Sequence, residues 1–96
     1  MVLRLRPAAL WPWRRITSAP RAGRLYVRAR CGLCEEAKAL LRPFQNQDQL
    51  RLELVDIAAD ADLLRRYGLT IPVLAICGSE ELAWPFDVAD VRGALR

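Results

Sequence analysis

The sequence contains no histidine, and this absence excludes several classes of site. A Cys–His hydrolase needs an imidazole to activate its nucleophile, so that class is ruled out. A structural zinc site usually takes four cysteine or histidine ligands, and the chain offers only three cysteines. An odd number of cysteines also argues against the paired-disulfide framework of small secreted proteins.

Long apolar runs are also missing, although 53% of the residues are hydrophobic. No run approaches the roughly 20 residues that a membrane-spanning helix requires, so we expect no membrane partner. Repeats and low-complexity segments are absent as well. A chain of 96 residues is enough for one small domain.

Acidic residues are missing from residues 1–30, which carry eight arginines, whereas residues 31–96 carry seven Lys or Arg against eleven Asp or Glu. Residues 1–23 also contain three prolines and two tryptophans without a sustained period. Arginine-rich segments without acids are typical of mitochondrial presequences. We predict that residues 1–23 are a basic disordered tail or a presequence and that residues 24–96 form the folded domain.

The cysteine count and the basic residues 1–30 bear on the protein's location and partners. The protein is expected to be intracellular: mitochondrial if residues 1–23 are a presequence, and cytoplasmic otherwise. The basic residues form no recognisable nucleic-acid-binding element, so no nucleic-acid partner is expected.

Two cysteines stand at a spacing that is typical of redox pairs. The stretch Cys31-Gly32-Leu33-Cys34 lies between a short apolar run, Leu25-Tyr26-Val27, and an amphipathic run that begins at Glu35. A strand that leads into a helix through two such cysteines is the usual redox context. The first cysteine then lies beside the free N–H groups of the helix's first turn, which stabilise the nucleophilic thiolate. We predict that Cys31 is the catalytic nucleophile and Cys34 the resolving cysteine.

Apolar periodicity predicts the order β-α-β-α-β-β-α, with the first two strands parallel and the last two in a hairpin. We expect strands at residues 25–28, 50–57, 73–76 and 81–84. The first helix should kink or end at about Arg42, because Pro43 removes a helix hydrogen bond. Asp60 and Asp87 are predicted to cap the second and third helices.

These features resemble the thioredoxin-fold superfamily and, within it, a small glutaredoxin-like protein. The resemblance covers about residues 24–96 and rests on the Cys31–Cys34 motif, Val55-Asp56-Ile57, Tyr67-Gly68 and Ile71-Pro72-Val73. It implies an α/β thioredoxin-like fold, a four-stranded mixed sheet flanked by three helices, with a cis peptide bond before Pro72. It also implies a thiol–disulfide oxidoreductase with a redox-active disulfide between Cys31 and Cys34.

The resemblance further implies where a substrate binds. In such proteins the turn before the third strand accepts a peptide-like partner by β-type pairing, and here that turn is Thr70-Ile71-Pro72. Arg28 stands where many glutaredoxins have a lysine. The predicted substrate-binding residues are therefore Arg28, the nearby Arg30, and Thr70, Ile71 and Pro72. Protein or small-molecule disulfides are the expected partners, and the protein is expected to be a monomer.

Two departures from glutaredoxins concern the cofactor. Gly32 stands where those proteins usually carry proline, and Trp84-Pro85-Phe86-Asp87 replaces the Gly-Gly and acidic pair that hold the carboxylate end of glutathione. We expect no metal and no tightly bound cofactor. Glutathione is a candidate reductant, and we expect it to reduce the oxidised protein slowly.

Two other functions use the same residues. The fold could serve as a docking or assembly module with little turnover, or the cysteines could carry a metal or an iron–sulfur cluster. Cys77 closes an apolar strand and is expected to be a small buried residue and not a ligand. Thiol titration separates the three functions, since an oxidoreductase has one fast thiol and a docking module has three ordinary ones.

Overall fold

The computed structural model describes residues 19–96 and places them in one four-stranded sheet with three α-helices. The elements are β1 Arg21–Val27, α1 Gly32–Asn46, β2 Leu50–Asp56, a 3₁₀ turn Ile57–Ala59, α2 Ala61–Tyr67, β3 Val73–Ile76, β4 Leu82–Ala83 and α3 Val88–Leu95. The predicted order of elements and the α/β thioredoxin-like fold are confirmed.

The strands lie in the order β2-β1-β3-β4. β1 runs parallel to β2 and antiparallel to β3, and β3 runs antiparallel to β4. Tyr26, near the end of β1, lies opposite Val55 on one side and Val73 on the other. This register brings the carboxyl end of β1 beside the beginning of β3.

Helices cover both faces of the sheet, and each face has its own core cluster. The larger cluster packs α1 and α3 against one face, and its fully buried members include Leu25, Leu41, Leu74 and Val91. The smaller cluster lies on the opposite face and comprises Tyr26, Ile57, Tyr67 and Val73. Alternate residues of β1 point to opposite faces, which is why Leu25 and Tyr26 belong to different clusters.

β1 begins at Arg21, four residues earlier than the sequence predicted, so residues 21–23 belong to the sheet and not to the tail. The Arg21 N–H donates to the Gln49 carbonyl at 3.2 Å, and its guanidinium donates to the carbonyls of Cys77 and Leu95. These partners lie far away in the sequence, so local periodicity could not reveal them. Residues 1–18 of the predicted tail lie outside the described residues.

α1 continues to Asn46, so of the two predicted effects of Pro43, a kink or an end near Arg42, the end does not occur. Pro43 does lack the N–H of a helix hydrogen bond, but it lies in the last turn, where one missing bond interrupts little. Phe44 follows it and is buried in the larger cluster, at 6% exposure. The packing of Phe44 offsets the local cost of the proline.

Both predicted helix caps are present. The Asp60 carboxylate accepts from the N–H groups of Asp62 at 2.8 Å and Leu63 at 3.2 Å. Asp87 and Asp90 form a reciprocal capping box at the start of α3. β2 stops at Asp56, one residue short of the prediction, because the chain turns into the 3₁₀ segment there.

Among residues 19–96, no helix combines the length and the apolar character needed to cross a membrane.

Candidate active site

Cys31 and Cys34 lie at the N-terminus of α1. Cys31 is the N-cap residue in an extended conformation, and its Sγ accepts the Cys34 N–H at 3.1 Å. The two side chains form a disulfide, with Cα atoms 5.2 Å apart. The helix's first turn therefore directs an N–H group at the Cys31 sulfur, as expected for a site that stabilises a thiolate.

The two sulfurs differ in accessibility. Cys31 is half-buried against the larger cluster, whereas Cys34 belongs to that cluster and is 0% exposed. Next to them, Gly32 is exposed and Leu33 is 47% exposed. A partner molecule that approaches this end of the helix meets Cys31 before it meets Cys34.

Arg28 and Arg30 lie in the turn that joins β1 to Cys31, and both are exposed. Neither forms an ion pair with any residue in the range 19–96. Glu35, an acid of the first turn of α1, pairs with Lys38 at 2.8 Å. The turn before Cys31 thus carries two cationic groups that remain available to an anionic partner or to a thiolate.

The predicted substrate loop, Thr70-Ile71-Pro72, lies at the same end of the sheet. Because Tyr26 is opposite Val73, the residues that precede β3 lie beside the residues that follow β1. Ile71 and Cys31 both pack against the larger cluster, and Pro72 is buried. The Ile71–Pro72 peptide bond is cis, as the resemblance implied.

The end of β4 completes this side of the site. The Trp84 N–H donates to the Pro72 carbonyl at 3.1 Å, and the Trp84 ring meets Phe86 edge-on with centroids 5.0 Å apart. A second cis peptide bond, Trp84–Pro85, follows. The sequence did not predict these contacts, because they depend on how the hairpin pairs with the loop.

Cys77 does not join the cysteine pair. It is exposed, which corrects the expectation of a buried residue. Its N–H donates to the Ala22 carbonyl at 2.9 Å, at the beginning of β1, whereas Cys31 follows the end of that strand. Residues 22 to 27 of a strand span about 16 Å, so the third cysteine is too distant to share one metal ion with the pair. Residues 19–96 include no group of three side chains that could hold a metal.

One protein-family model covers both the fold and the cysteine pair. Residues 24–96 match the family model described as Glutaredoxin-like domain (DUF836). The chain belongs to this glutaredoxin-like family. A search of curated proteins finds no match to this chain.

Solved structures share the fold of this glutaredoxin-like chain. The X-ray structure of target protein XcR50 from X. campestris is 37% identical, with a TM-score of 0.65, and the match covers 74% of this chain and 91% of that one. The solution structure of the same target is 38% identical, with a TM-score of 0.63 and coverages of 75% and 88%. The solution NMR structure of protein Ne2328 from Nitrosomonas europaea is 33% identical, with a TM-score of 0.64 and coverages of 98% and 96%.

One contact of the glutaredoxin-like site was not foreseen. Tyr67, the last residue of α2, is buried. Its hydroxyl, however, donates to the Glu81 carboxylate, which lies just before β4. The only signal in the sequence was an acidic residue near the hairpin turn, and such residues are common there.

Proposed function

We propose that the protein is a thiol–disulfide oxidoreductase in which Cys31 attacks and Cys34 resolves. The observation that carries this proposal is the disulfide at the N-terminus of α1, with a half-buried first cysteine and a fully buried second one. Family membership supports it, since the matched region contains both cysteines.

The reaction is an exchange of disulfide bonds. The Cys31 thiolate attacks one sulfur of the substrate disulfide, a bond forms between the two sulfurs, and the other substrate sulfur leaves as a thiolate that takes a proton from solvent. Cys34 then loses its proton and attacks Cys31, which forms the Cys31–Cys34 disulfide and releases the second substrate thiol. The substrate gains two electrons, and the cysteine pair loses two. An external thiol or dithiol reductant restores the reduced pair.

Glutathione is a poor fit as the reductant. The family's usual anchor for the carboxylate end of glutathione, a Gly-Gly and an acidic pair, is replaced here by Trp84-Pro85-Phe86-Asp87. The Asp87 carboxylate caps α3 by accepting the Asp90 N–H at 2.8 Å, and an anionic side chain does not attract a carboxylate of glutathione. We therefore expect slow reduction of the oxidised protein by glutathione, with a dithiol as the more effective reductant.

Trapping of the mixed disulfide tests the proposal. The exposed Cys77 would also form adducts, so every variant is made with Cys77→Ser. After treatment with oxidised glutathione, the Cys34→Ser variant should accumulate one adduct on Cys31, because the resolving sulfur is missing. The Cys31→Ser variant should accumulate none, because Cys34 is buried.

Other outcomes identify the alternatives. An adduct on Cys34 in the Cys31→Ser variant would reverse the two roles. If neither variant is trapped and the reduced pair reacts no faster than an ordinary thiol, the domain is a docking or assembly module. A protein that purifies with bound metal or with the colour of an iron–sulfur cluster would favour cluster carriage.

A further inference from the structure

The carbonyl of Tyr67 is the common acceptor for the loop that leads to β3. It accepts the Thr70 N–H at 2.9 Å, the Ile71 N–H at 3.1 Å and the Thr70 hydroxyl at 3.3 Å. Two consecutive backbone amides are therefore held on one oxygen at the end of α2. The position of Tyr67 therefore fixes the position of the Thr70–Ile71 backbone.

The Tyr67 side chain is held from two sides. Its ring stacks on Tyr26, with centroids 4.4 Å apart and planes 20° apart, and its hydroxyl donates to Glu81. The Arg66 guanidinium lies 5.3 Å from the ring centroid and 3.9 Å from the Glu81 carboxylate. Burial and the Glu81 carboxylate raise the pKa of Tyr67 to about 12, so the hydroxyl stays a donor at neutral pH.

These contacts join three parts of the candidate site. Tyr26 is in the strand that leads to Cys31, Glu81 precedes the strand that pairs with β3, and Ile71 belongs to the predicted substrate loop. The Ile71 N–H points inward to Tyr67, and no group among residues 19–96 donates to the Ile71 carbonyl. A partner strand can therefore use that carbonyl as an acceptor.

We propose that Tyr67 is a positioning residue for disulfide exchange with peptide substrates: its carbonyl fixes the Ile71 backbone that a peptide meets, while Tyr26 and Glu81 fix Tyr67. This role rests on the proposed oxidoreductase function. It concerns capture of a peptide chain and not the chemistry of Cys31. Disulfides that are too small to reach the loop gain nothing from Tyr67.

The test is made in the Cys77→Ser background, because the exposed Cys77 would react with any disulfide, and it compares two disulfide substrates that release the same chromogenic thiol. One is a short peptide whose single cysteine carries that thiol, and the other is the symmetric aromatic disulfide with no peptide. Tyr67→Phe removes only the hydroxyl and keeps the ring stack. Glu81→Ala removes the acceptor, and Glu81→Gln keeps an acceptor oxygen as the matched control. Amide exchange at Thr70 and Ile71 is measured in each variant.

We expect Tyr67→Phe and Glu81→Ala to slow the peptide reaction about three- to tenfold, in line with the loss of one hydrogen bond, while Glu81→Gln stays near wild type. The aromatic disulfide should react at the wild-type rate in all variants. Exchange at Ile71 should accelerate in the two variants that lose the bond.

Three results would overturn the proposal. Equal slowing with both substrates would place the effect at Cys31 and not at the loop. Unchanged exchange at Thr70 and Ile71 would show that the side chain does not hold the backbone. Faster amide exchange with an unchanged rate for the peptide disulfide would show that the position of the loop does not affect the reaction. A Cys77→Ser protein with no other substitution that reacts with neither disulfide refutes the oxidoreductase function itself, and with it any role of Tyr67 in exchange.

Discussion

The two ends of the sheet each carry an accessible cysteine, but only one end is built like a redox site. At the Cys31 end, defined by Val27, Cys31 and Ile71, the half-buried cysteine caps a helix and has a partner sulfur. At the Cys77 end, defined by Ala22, Cys77 and Gly78, the cysteine is exposed but is followed by a turn and no helix. We therefore expect exposure alone not to determine which cysteine reacts. Helix N–H groups and a second sulfur distinguish the two ends.

The largest expected difference between the ends is in turnover. Cys31→Ser should abolish reduction of a disulfide substrate, because the thiol that remains at the helix N-terminus, that of Cys34, is buried. Cys77→Ser should leave the rate close to that of wild type. A steady-state assay with a dithiol reductant measures both. Loss of activity in Cys77→Ser, with Cys31→Ser still active, would reverse the comparison.

The turn at the Cys77 end depends on the backbone conformation of Gly78. Substitution of this glycine tests how much that conformation contributes to the free energy of unfolding. Gly78 has φ of +84°, and a Cβ there would lie 2.9 Å from the Arg21 guanidinium. Gly78→Ala should lower the free energy of unfolding by about 1–2 kcal/mol, because an L-residue is strained in this region. Denaturant unfolding measures the change, with Gly32→Ala as the control at the other end. An unchanged midpoint for Gly78→Ala would show that the turn relaxes without cost.

The arginines test whether charge contributes to the Cys31 end. Arg28→Ala and Arg30→Ala should each slow alkylation of reduced Cys31 at neutral pH about twofold to fivefold, because less thiolate is present. Added salt should reduce the difference, since exposed charges are screened. Arg51→Ala is the control, because Arg51 lies opposite Ala22 at the Cys77 end. Equal rates in all three variants would leave the helix N-terminus as the main cause.

The smallest effect is expected at Gly32, the first residue of α1. A Cβ there would meet nothing within 4 Å, and Cys31 has φ of −111° and ψ of 106°, which suits a residue before proline. Gly32→Pro should therefore raise the free energy of unfolding by about 0.4–1 kcal/mol, by restricting the unfolded chain. A lower free energy of unfolding would show that the turn before the helix needs a flexible residue.

Local signals predicted the parts of the molecule that local interactions build. The caps at Asp60 and Asp87 and the Cys31–Cys34 spacing follow from neighbouring residues, so the sequence was sufficient for them. The exposure of Cys77 depends on the register of β3, in which Ile76 faces the larger cluster and the next residue faces away. That register is set by pairing with β1, far away in the sequence.

Errors arose where distant contacts outweigh local preferences. Pro43 favours a kink or an end of α1 near Arg42, but Phe44 packs in the core and the helix continues. Arg21 was assigned to the tail, but its partners are carbonyls near the other end of the chain. The bond between Tyr67 and Glu81 was missed for the same reason, since only the folded hairpin brings the two side chains together.

The most direct test of the central claim is the order in which the three thiols of the reduced wild-type protein react. Limited alkylation with iodoacetamide at neutral pH, followed by mass spectrometry of each cysteine peptide, gives that order. We predict that Cys31 is labelled first although it is less exposed than Cys77, and that the buried Cys34 is labelled last. Labelling of Cys77 ahead of Cys31 would contradict the account, because exposure and not the helix N-terminus would then control the reactivity of the thiols.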